Sequence, residues 1–457
     1  MQNQPSLQKK SDFVEDFLAE HGHLPGYNVT NFGCQMNECD TEVITTLLDN
    51  MGMVPAEITE ADVIVYYTCS VRHSAENKVY SRLGGLRSLK DKKPELIIAL
   101  GGCMPQLPEN RKRLKGFPVD IIFGTHNFDR LPDLLKTYGK RRKRLVEVWE
   151  QHRGVRIMPY AHSPKLNAFV NITYGCDNFC TFCIVPFTRG RERSRQPEDI
   201  VAEVRYLAES GTKEVTLLGQ NVNSYGKGLE ESCNFGDLLR KINAIDGLAR
   251  IRFTTSHPRD LSNRLIDSVA ACDKVCEYFH VALQSGSDRI LKKMNRHYDS
   301  AYYLDMVSRI RACIPGVAIG TDIIVGFPGE TEDDFQQTLA LVERIGFDAS
   351  FNFVFSPRKG TKAAALSEQI SAEVKKDRIV RLNDLQHAIA ARKNESLINQ
   401  IVEVLVEGPS KSNPDKMTGR TRSNKIVNFR GVEQLPGTLI KVKIVETGPF
   451  SLTGELL

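Results

Sequence analysis

Short apolar runs alternate with longer amphipathic stretches along most of the chain, starting at Tyr27. Strand character marks residues 27–32, 62–68, 96–100 and 119–123, and helical spacing of apolar residues marks 42–51 and 74–89. Strands that alternate with helices indicate a parallel sheet with helices on both faces. We therefore predict an open parallel α/β domain over residues 25–148. The polar residues 1–24 before it are expected to form a tail or a marginal helix.

The same alternation continues through the middle of the chain. Strands are predicted at 169–173, 214–218, 250–254, 278–282, 318–325 and 349–355, with helical stretches between them. Six successive βα units predict a partial (βα)6 barrel, and the active sites of such barrels lie at the carboxyl ends of the strands. We assign residues 168–395 to this domain and residues 149–167 to a linker.

The pattern changes again in the last part of the chain. Runs at 401–406, 425–429 and 438–445 are split by Gly and Pro, which predicts a small β-barrel over residues 396–457. From Gly408 to Arg430, six basic residues stand against a single acid, Asp415: Lys411, Lys416, Arg420, Arg422, Lys425 and Arg430. A basic loop on a small barrel is typical of an RNA platform. The alternative is a solubilising face.

Composition narrows the setting of the protein. The 457 residues are 41% hydrophobic and 26% charged, as in ordinary globular proteins. Apolar runs stay short of the roughly 20 residues of a membrane span, and residues 1–10 lack the apolar core of a signal peptide. We therefore expect a cytoplasmic protein whose cysteines hold clusters or metals rather than disulfides. The net charge of +5 points only weakly to nucleic acid, and the basic run 140–144 is either a solvated linker or an RNA-facing patch.

Three cysteines share one short stretch after the first strand of the central domain. Cys176, Cys180 and Cys183 have C-x3-C-x2-C spacing. Three thiolates on one loop can hold three irons of a cubane iron–sulfur cluster and leave the fourth iron open to a substrate. A structural zinc site normally needs a fourth protein ligand, and none stands nearby in sequence. Structural or zinc-bound cysteines remain the alternative.

Three further cysteines follow predicted strands of the first domain. Cys34, Cys69 and Cys103 each lie one to three residues past a strand end. In an open parallel sheet these ends form one edge, where ligands bind, so we predict a second three-thiolate cluster. The alternative is three buried, inert cysteines. Cys39 competes for a ligand role but falls at a predicted helix start. We expect the remaining four to pack in the interior: Cys233, Cys272, Cys276 and Cys313.

Several motifs resemble known families. The stretch YGCDNFCTFC at 174–183 resembles the radical S-adenosylmethionine (SAM) enzymes, in which the open iron binds SAM and cleaves it to a radical. The stretches NFGCQMN at 31–37, YTC at 67–69 and GGCMP at 101–105 resemble the N-terminal domain of the methylthiotransferases. The stretch TGRTRSNKIVNF at 418–429 resembles the RNA-binding TRAM domain. Together these resemblances extend over almost the whole chain.

Polar side chains stand at the predicted carboxyl ends of the barrel strands. With SAM implied as the cofactor, we expect its ribose, adenine and aminoacyl groups to bind Gln220, Asn221, Ser256, Gln284, Ser285 and Asp322, since such side chains donate and accept hydrogen bonds. Four arginines after the cysteine loop are candidates for the SAM carboxylate or for RNA phosphates: Arg189, Arg191, Arg193 and Arg195.

Loop segments narrow the resemblance to one branch of the methylthiotransferases. PFTRGRERSR at 186–195, GQNVNSYG at 219–226, TSHP at 255–258, QSGS at 284–287 and MNR at 294–296 resemble the MiaB-type enzymes. That resemblance implies two [4Fe–4S] clusters and two molecules of SAM, one as methyl donor and one as radical source. The implied product carries a methylthio group at C2 of N6-isopentenyladenosine, at position 37 next to the anticodon of tRNA.

Other readings of the same sequence stay open. Sibling methylthiotransferases act on threonylcarbamoyladenosine of tRNA or on a ribosomal-protein aspartate. A rival of another class is a non-catalytic, zinc-containing RNA-binding protein. If the chain is the enzyme, we expect its partners to be a tRNA anticodon stem-loop and a reducing electron donor, and we expect a monomer.

Overall fold

The computed structural model describes residues 10–151, 165–254, 256–411, 413–431 and 435–457. The chain divides into two compact units. The first holds the described residues up to 151 with Tyr174–Asp177 and Ile184–Glu192, and the second holds those from 165 onward apart from these two segments. Most of the predicted linker at 149–167, and residues 1–9 of the predicted tail, lie outside the described residues.

The first unit is built on a six-stranded sheet. Its elements are α1 (Asp12–His21), β1 (Gly26–Asn31), α2 (Gln35–Asn50), β2 (Val54–Pro55), β3 (Val63–Thr68), α3 (His73–Lys92), β4 (Ile97–Gly102), α4 (Cys103–Gln106), α5 (Pro108–Leu114), β5 (Ile121–Phe123), α6 (Leu131–Arg141), β6 (Leu145–Glu147) and α7 (Val185–Thr188). All strands run parallel, in the order β2-β1-β3-β4-β5-β6. The predicted open parallel α/β fold is confirmed. Strands β2 and β6 escaped prediction because they contribute only two and three residues.

The N-terminal segment is not the polar tail that its composition suggested. Residues 12–21 form helix α1, which buries Phe13, Val14 and Phe17. These side chains join the hydrophobic cluster that contains Leu131 and Tyr138 of α6. Three apolar residues on one face are enough to hold the helix, because they leave water together when it packs. Of the two predicted forms, the helix is the one present.

The second unit contains the central domain. Its elements are β7 (Asn167–Asn171), β8 (Thr173–Tyr174, whose Tyr174 belongs to the first unit), β9 (Arg193–Ser194), α8 (Pro197–Glu209), β10 (Glu214–Leu218), α9 (Phe235–Asn243), β11 (Arg250–Phe253), α10 (Asn263–Ala271), β12 (Tyr278–His280), α11 (Asp288–Lys293), α12 (Ser300–Cys313), β13 (Ala318–Val325), α13 (Glu332–Ile345), β14 (Ala349–Val354) and α14 (Ala372–Glu395). Strands β7, β10 and β11 form one parallel sheet, and β12, β13 and β14 form another. Parallel bridges from Ile251 to Val275 and from Ser256 to Val281 link them. Six parallel strands thus follow one another in chain order, as a partial (βα)6 barrel requires.

The C-terminal part is a closed barrel of five strands. They are β15 (Ile401–Pro409), β16 (Met417–Thr421), β17 (Ile426–Phe429), β18 (Leu439–Thr447) and β19 (Ser451–Leu456). Strands β16 and β19 escaped prediction because each contains a glycine among polar residues. At Gly419 a Cβ would lie 2.3 Å from the Leu405 carbonyl oxygen, so this glycine allows the close approach of β15 and β16.

Two buried arginines attach this barrel to the central domain. Arg250 and Arg252 stand at the amino-terminal end of β11. The guanidinium of Arg250 donates to the Arg420 carbonyl oxygen at 2.6 Å and to Glu403 Oε1 at 2.9 Å. Arg252 donates to the carbonyl oxygens of Thr421 at 2.7 Å and Arg422 at 3.0 Å. The carbonyl oxygens of the β16–β17 turn therefore accept hydrogen bonds from charged guanidinium groups of the central domain. Such hydrogen bonds are stronger than those between neutral groups.

The β16–β17 turn returns charged contacts of its own. Arg422 pairs with Glu277, at 2.6 Å from its Nη2 to Oε1, and Lys425 lies 3.4 Å from Asp348 and donates to Asn394 at 2.7 Å. Glu277 and Asp348 immediately precede β12 and β14. The turn thus covers the amino-terminal ends of the central strands, opposite the ends expected to carry the active site. Among the described helices, none is long and apolar enough to cross a membrane.

Arg250→Met should loosen this attachment. Its side chain is fully buried, and each buried carbonyl left unpaired costs about 1–3 kcal/mol. We expect faster hydrogen exchange at residues 420–425 and a lower melting temperature. The matched control is Arg264→Met, since Arg264 is exposed and pairs with Asp237 on the surface. Unchanged exchange at the turn in the Arg250 variant would show that these hydrogen bonds do not hold the barrel.

Candidate cluster sites and SAM pocket

The cysteines of the first unit meet at the carboxyl edge of its sheet. Cys34 precedes α2, Cys69 directly follows β3 and Cys103 begins α4 directly after β4. The turn after β4 requires Gly102, whose φ is 95° and whose Cβ would lie 2.4 Å from the Thr68 carbonyl oxygen. This close approach brings the Cys69 and Cys103 loops side by side.

The thiols are close enough to share protons and hydrogen bonds. The Cys69 thiol donates to Cys34, which lowers the pKa of Cys34 to about 5 and raises the pKa of Cys69. The Val71 N–H donates to Cys69 Sγ at 3.3 Å. Burial raises the pKa of Cys103. Cys39 is a buried residue within α2. The three sulfurs at the sheet edge are therefore those of the predicted ligands.

A buried arginine accompanies these sulfurs. The Arg189 guanidinium donates to Asn37 Oδ1 and Asp40 Oδ2, both at 2.8 Å, and also to the sulfur of Cys103. Tyr67 donates to the same Asp40 oxygen at 3.1 Å. Although burial opposes it, the negative charges of Asp40 and Cys103 raise the pKa of Arg189. The charge of Arg189 is thus paired inside the first unit, and its contact with a SAM carboxylate or an RNA phosphate stays a prediction.

In the second unit, residues 178–183 carry Cys180 and Cys183 and are fixed by the segment after α11. The Thr181 N–H donates to the Met294 carbonyl oxygen at 3.1 Å, and its hydroxyl donates to the Lys293 carbonyl oxygen at 2.9 Å. Asn295 donates to the carbonyl oxygens of Asn178 and Phe179. These bonds fix the backbone of the loop that carries the two thiols.

Arg296 supplies a charge to this loop. Its guanidinium donates to Cys180 Sγ at 3.3 Å and to the Ala282 carbonyl oxygen at 2.8 Å, and it is only 5% exposed. A buried guanidinium needs compensation from the groups around it, and the sulfur of Cys180 is one of its acceptors.

The residues present suit iron–sulfur clusters. Each cysteine set supplies three sulfurs, and one sulfur of each receives a hydrogen bond from a buried arginine. Within the residues that the structure describes, no three His, Cys, Asp or Glu side chains lie close enough to hold a single metal ion.

The barrel mouth holds unpaired polar atoms that suit SAM. Ser256 Oγ and Gln284 Oε1 are buried, and neither has a hydrogen-bond partner within the described residues. Such atoms normally mark a bound ligand or water. Gln284 has a φ of 69°, an uncommon conformation that holds its side chain at the end of β12. Asp322 pairs with His280 at 3.1 Å. Gln220, which follows β10, is half-buried.

Three predicted SAM ligands are committed elsewhere. Asn221 donates to Asp260 and accepts from the His257 N–H, so both ends of its amide are used. The Ser285 hydroxyl accepts from the Ser287 N–H at 3.2 Å. Arg195 forms a buried ion pair with Glu203 at 2.6 Å. In this structure all three residues fix the loops around them, and their role as SAM ligands stays a prediction.

The predicted RNA-binding set is split by the structure. Arg422 and Lys425 pair with carboxylates of the central domain, and Arg420 pairs with Glu407 at 2.9 Å. Burial lowers the pKa of Lys425. The charges of these three residues are thus paired within the chain, and their contact with phosphate stays a prediction. Lys411 and Arg430 are exposed and Lys416 is half-exposed.

The basic run at 140–144 also has structural duties. Arg144 donates to the carbonyl oxygens of Leu114 and Phe117 at 2.9 Å each, after the end of α5. Arg142 pairs with Glu20 at 3.1 Å. Both alternatives for the run, linker and RNA-facing patch, stay predictions.

Three family models match the chain in succession. They are an uncharacterized protein family, UPF0004, over residues 26–124, the Radical SAM superfamily over 170–342 and the TRAM domain over 395–457. The first match contains Cys34, Cys69 and Cys103, and the second contains Cys176, Cys180 and Cys183. The predicted radical SAM and TRAM domains are confirmed.

Full-length relatives identify the family. The tRNA-2-methylthio-N(6)-dimethylallyladenosine synthase of Syntrophomonas wolfei is 56% identical over 432 residues, which is 94% of this chain and 97% of that protein. The chain belongs to this synthase family. The synthase of Alkaliphilus oremlandii is 51% identical over 99% of this chain and 97% of its own length. The zinc-containing RNA-binding rival is thereby excluded.

Solved structures support the fold of this synthase-family chain. A radical S-adenosylmethionine methyltransferase, TsrM, from Kitasatospora setae, with cobalamin and a [4Fe-4S] cluster bound, aligns with a TM-score of 0.55 over 74% of each chain at 13% identity. OxsB, a cobalamin-dependent S-adenosylmethionine radical enzyme, aligns with a TM-score of 0.51 over 81% of this chain and 57% of that one. At such low identity these likenesses show the fold alone.

Sequence patterns missed Arg296 and His257 as members of the site. Both stand in segments that carry the family resemblance, MNR and TSHP, which was their only signal. Burial, reinforced by the charge of Arg296, lowers the pKa of His257 to about 2, so its imidazole is neutral at neutral pH. His257 Nδ1 accepts from the Arg259 N–H, which leaves Nε2 as the protonated nitrogen.

The low pKa of Cys34 predicts selective alkylation of the cluster-free protein. Reactivity follows the thiolate fraction, so Cys34, which is exposed and has a pKa of about 5, should react with iodoacetamide at nearly the same rate from pH 8 down to about pH 6. A thiol with the ordinary pKa of about 8.5 loses about tenfold per pH unit over that range. N-acetylcysteine added to the same solution is the reference thiol. Mass spectrometry measures both rates, and equal pH profiles would contradict the shared hydrogen bond with Cys69.

Proposed function

We propose that this chain is a tRNA methylthiotransferase that installs a methylthio group at C2 of N6-dimethylallyladenosine, at position 37 of tRNA. The observation that carries the proposal is the meeting of Cys34, Cys69 and Cys103 at one sheet edge, in a chain 56% identical to a named synthase. When bound, the two clusters and SAM supply the radical, the sulfur and the methyl group. A C–H bond on an aromatic carbon is not acidic, so this chemistry belongs to the cofactors and the protein orients them.

The protein's own residues have separate tasks in this scheme. Cys176, Cys180 and Cys183 would hold the SAM-cleaving cluster, a placement that rests on their spacing along one short loop. Cys34, Cys69 and Cys103 would hold the auxiliary cluster. The unpaired oxygens of Ser256 and Gln284 would bind polar groups of SAM at the mouth of the central barrel. His257 offers a neutral Nε2–H donor near the same mouth.

Partners and setting follow from the substrate. A tRNA is the substrate named for the relatives, and the TRAM barrel is an RNA-binding module. An adenosine next to the anticodon must be splayed out of its loop to reach the barrel mouth. A low-potential electron donor is required for SAM cleavage. We place the protein in the cytoplasm, where tRNA and reduced thiols are found, and propose that it acts as a monomer.

The two cysteine sets should fail in different ways. Replacing Cys176, Cys180 and Cys183 by Ala should remove about half of the iron and abolish SAM cleavage. Replacing Cys34, Cys69 and Cys103 by Ala should remove the other half, preserve reductive SAM cleavage and abolish the methylthio product. The measurements are iron content, 5′-deoxyadenosine yield and nucleoside mass spectrometry of the tRNA. Sulfur transfer by the second variant would refute the auxiliary-cluster role.

Charge on the TRAM barrel should act through the residues that remain accessible. Changing Lys411, Lys416 and Arg430 to Ala should weaken tRNA binding and reduce the slope of log affinity against log salt by about 2–3, since about 0.7–0.9 of a counterion is released per phosphate contact. The matched variant is Arg422→Ala, which removes a charge that Glu277 already neutralises and should leave the slope nearly unchanged. An unchanged slope in the triple variant would move the tRNA contact elsewhere, for instance to the run 140–144.

A further inference from the structure

Arg189 lies where it can influence the auxiliary site. It directly follows α7 and is held there by its N–H, which donates to the Val185 carbonyl oxygen at 2.7 Å. Its side chain is 5% exposed and ends between Asp40 and Cys103. All of these residues belong to the first unit. The guanidinium is therefore a fixed positive charge beside the sulfurs of the sheet edge.

The groups around Arg189 are mostly acidic. They are the carboxyl group of Asp40, the phenol of Tyr67 and the thiols of Cys34 and Cys103. A guanidinium cannot be deprotonated in a protein, so it always offers one positive charge to this set. Asp40 takes part of that charge through its 2.8 Å contact, and Tyr67 holds Asp40 in place. Arg189 and Asp40 thus form an opposed pair of charges next to Cys103.

We propose that Arg189 is a positioning residue that tunes the reduction potential of the group held by Cys34, Cys69 and Cys103, with Asp40 as its counterweight. This inference rests on the auxiliary cluster of the proposed function. One-electron reduction of a cluster adds negative charge to it. A positive charge and a hydrogen bond at a ligand sulfur stabilise the reduced form and raise the potential. A nearby carboxylate has the opposite effect.

The two charges therefore predict shifts of opposite sign. Arg189→Gln removes the positive charge and should lower the midpoint potential. Asp40→Asn removes the negative charge, leaves Arg189 wholly to the sulfurs and should raise the potential. We expect each variant to change the ratio of oxidised to reduced cluster, at a given solution potential, by at least tenfold, which is about 59 mV for a one-electron couple. Arg189→Lys keeps the charge and should lie close to the parent.

The test uses the full-length chain with Cys176, Cys180 and Cys183 replaced by Ala, so that a single cluster remains. Its midpoint potential is measured by a redox titration with dithionite, followed by electron paramagnetic resonance. The matched control is Arg87→Gln, an exposed arginine of the same unit that donates to the Gly116 carbonyl oxygen at 2.8 Å. This control should leave the potential unchanged. A general loosening of the fold would shift both test variants in the same direction, whereas the inference demands opposite directions.

Each outcome decides the question. Opposite shifts in Arg189→Gln and Asp40→Asn support the inference, and potentials equal to the parent overturn it. If the Arg189→Gln variant loses its iron, the Asp40→Asn variant alone provides the test. A higher midpoint potential in that variant supports the inference, and an unchanged or lower midpoint potential overturns it. Absence of iron from the parent itself would overturn the auxiliary site, and the inference with it, before any arginine is changed.

Discussion

Parallel strands that end at a common edge are the constraint on which the rest of this molecule depends. Cys34, Cys69 and Cys103 are far apart in sequence, yet each follows a strand of one parallel sheet. Because the strands run in the same direction, their carboxyl ends coincide and the thiols meet without any sequence motif that joins them. In the central domain the same rule gathers Ser256, Gln284 and Asp322 at one mouth. A buried arginine at each cysteine set then supplies the positive charge that a group of thiolates needs.

The opposite ends of the central strands serve attachment. Arg250 and Arg252 of the central domain donate to carbonyl oxygens of the β16–β17 turn. In return, Arg422 and Lys425 of that turn pair with Glu277 and Asp348 of the central domain. The TRAM barrel is thus joined through the face that its basic loop was expected to offer to RNA. Basic residues in such a loop can pair with carboxylates of the same chain or contact RNA phosphates, and sequence composition does not distinguish these two roles. The partners of a long, flexible side chain are set by what stands opposite it in three dimensions, and phosphate and carboxylate attract it equally well.

Prediction from sequence succeeded where a local rule applies. The strands Glu214–Leu218 and Ala318–Val325 have the bounds that their apolar runs indicated, and the six cysteines stand in the elements expected for them. It failed where burial depends on tertiary contacts. The contacts of Arg195 with Glu203 and of Asn221 with Asp260, for example, were not foreseen. The contacts of Arg189 and Arg296 with sulfur could not be predicted, because the sequence does not show which group will lie next to a buried charge. The helix α1 was hidden in a segment whose overall composition is polar.

Nucleoside mass spectrometry of tRNA tests the central claim most directly. The source organism's tRNA is compared with and without this protein, and again after return of the wild-type chain or of the chain lacking Cys34, Cys69 and Cys103. We predict that the strain lacking the protein accumulates N6-dimethylallyladenosine, and that only the wild-type chain restores the 2-methylthio derivative. An unaltered level of 2-methylthio-N6-dimethylallyladenosine in the absence of the protein, or a loss of a threonylcarbamoyladenosine derivative instead, would contradict the account.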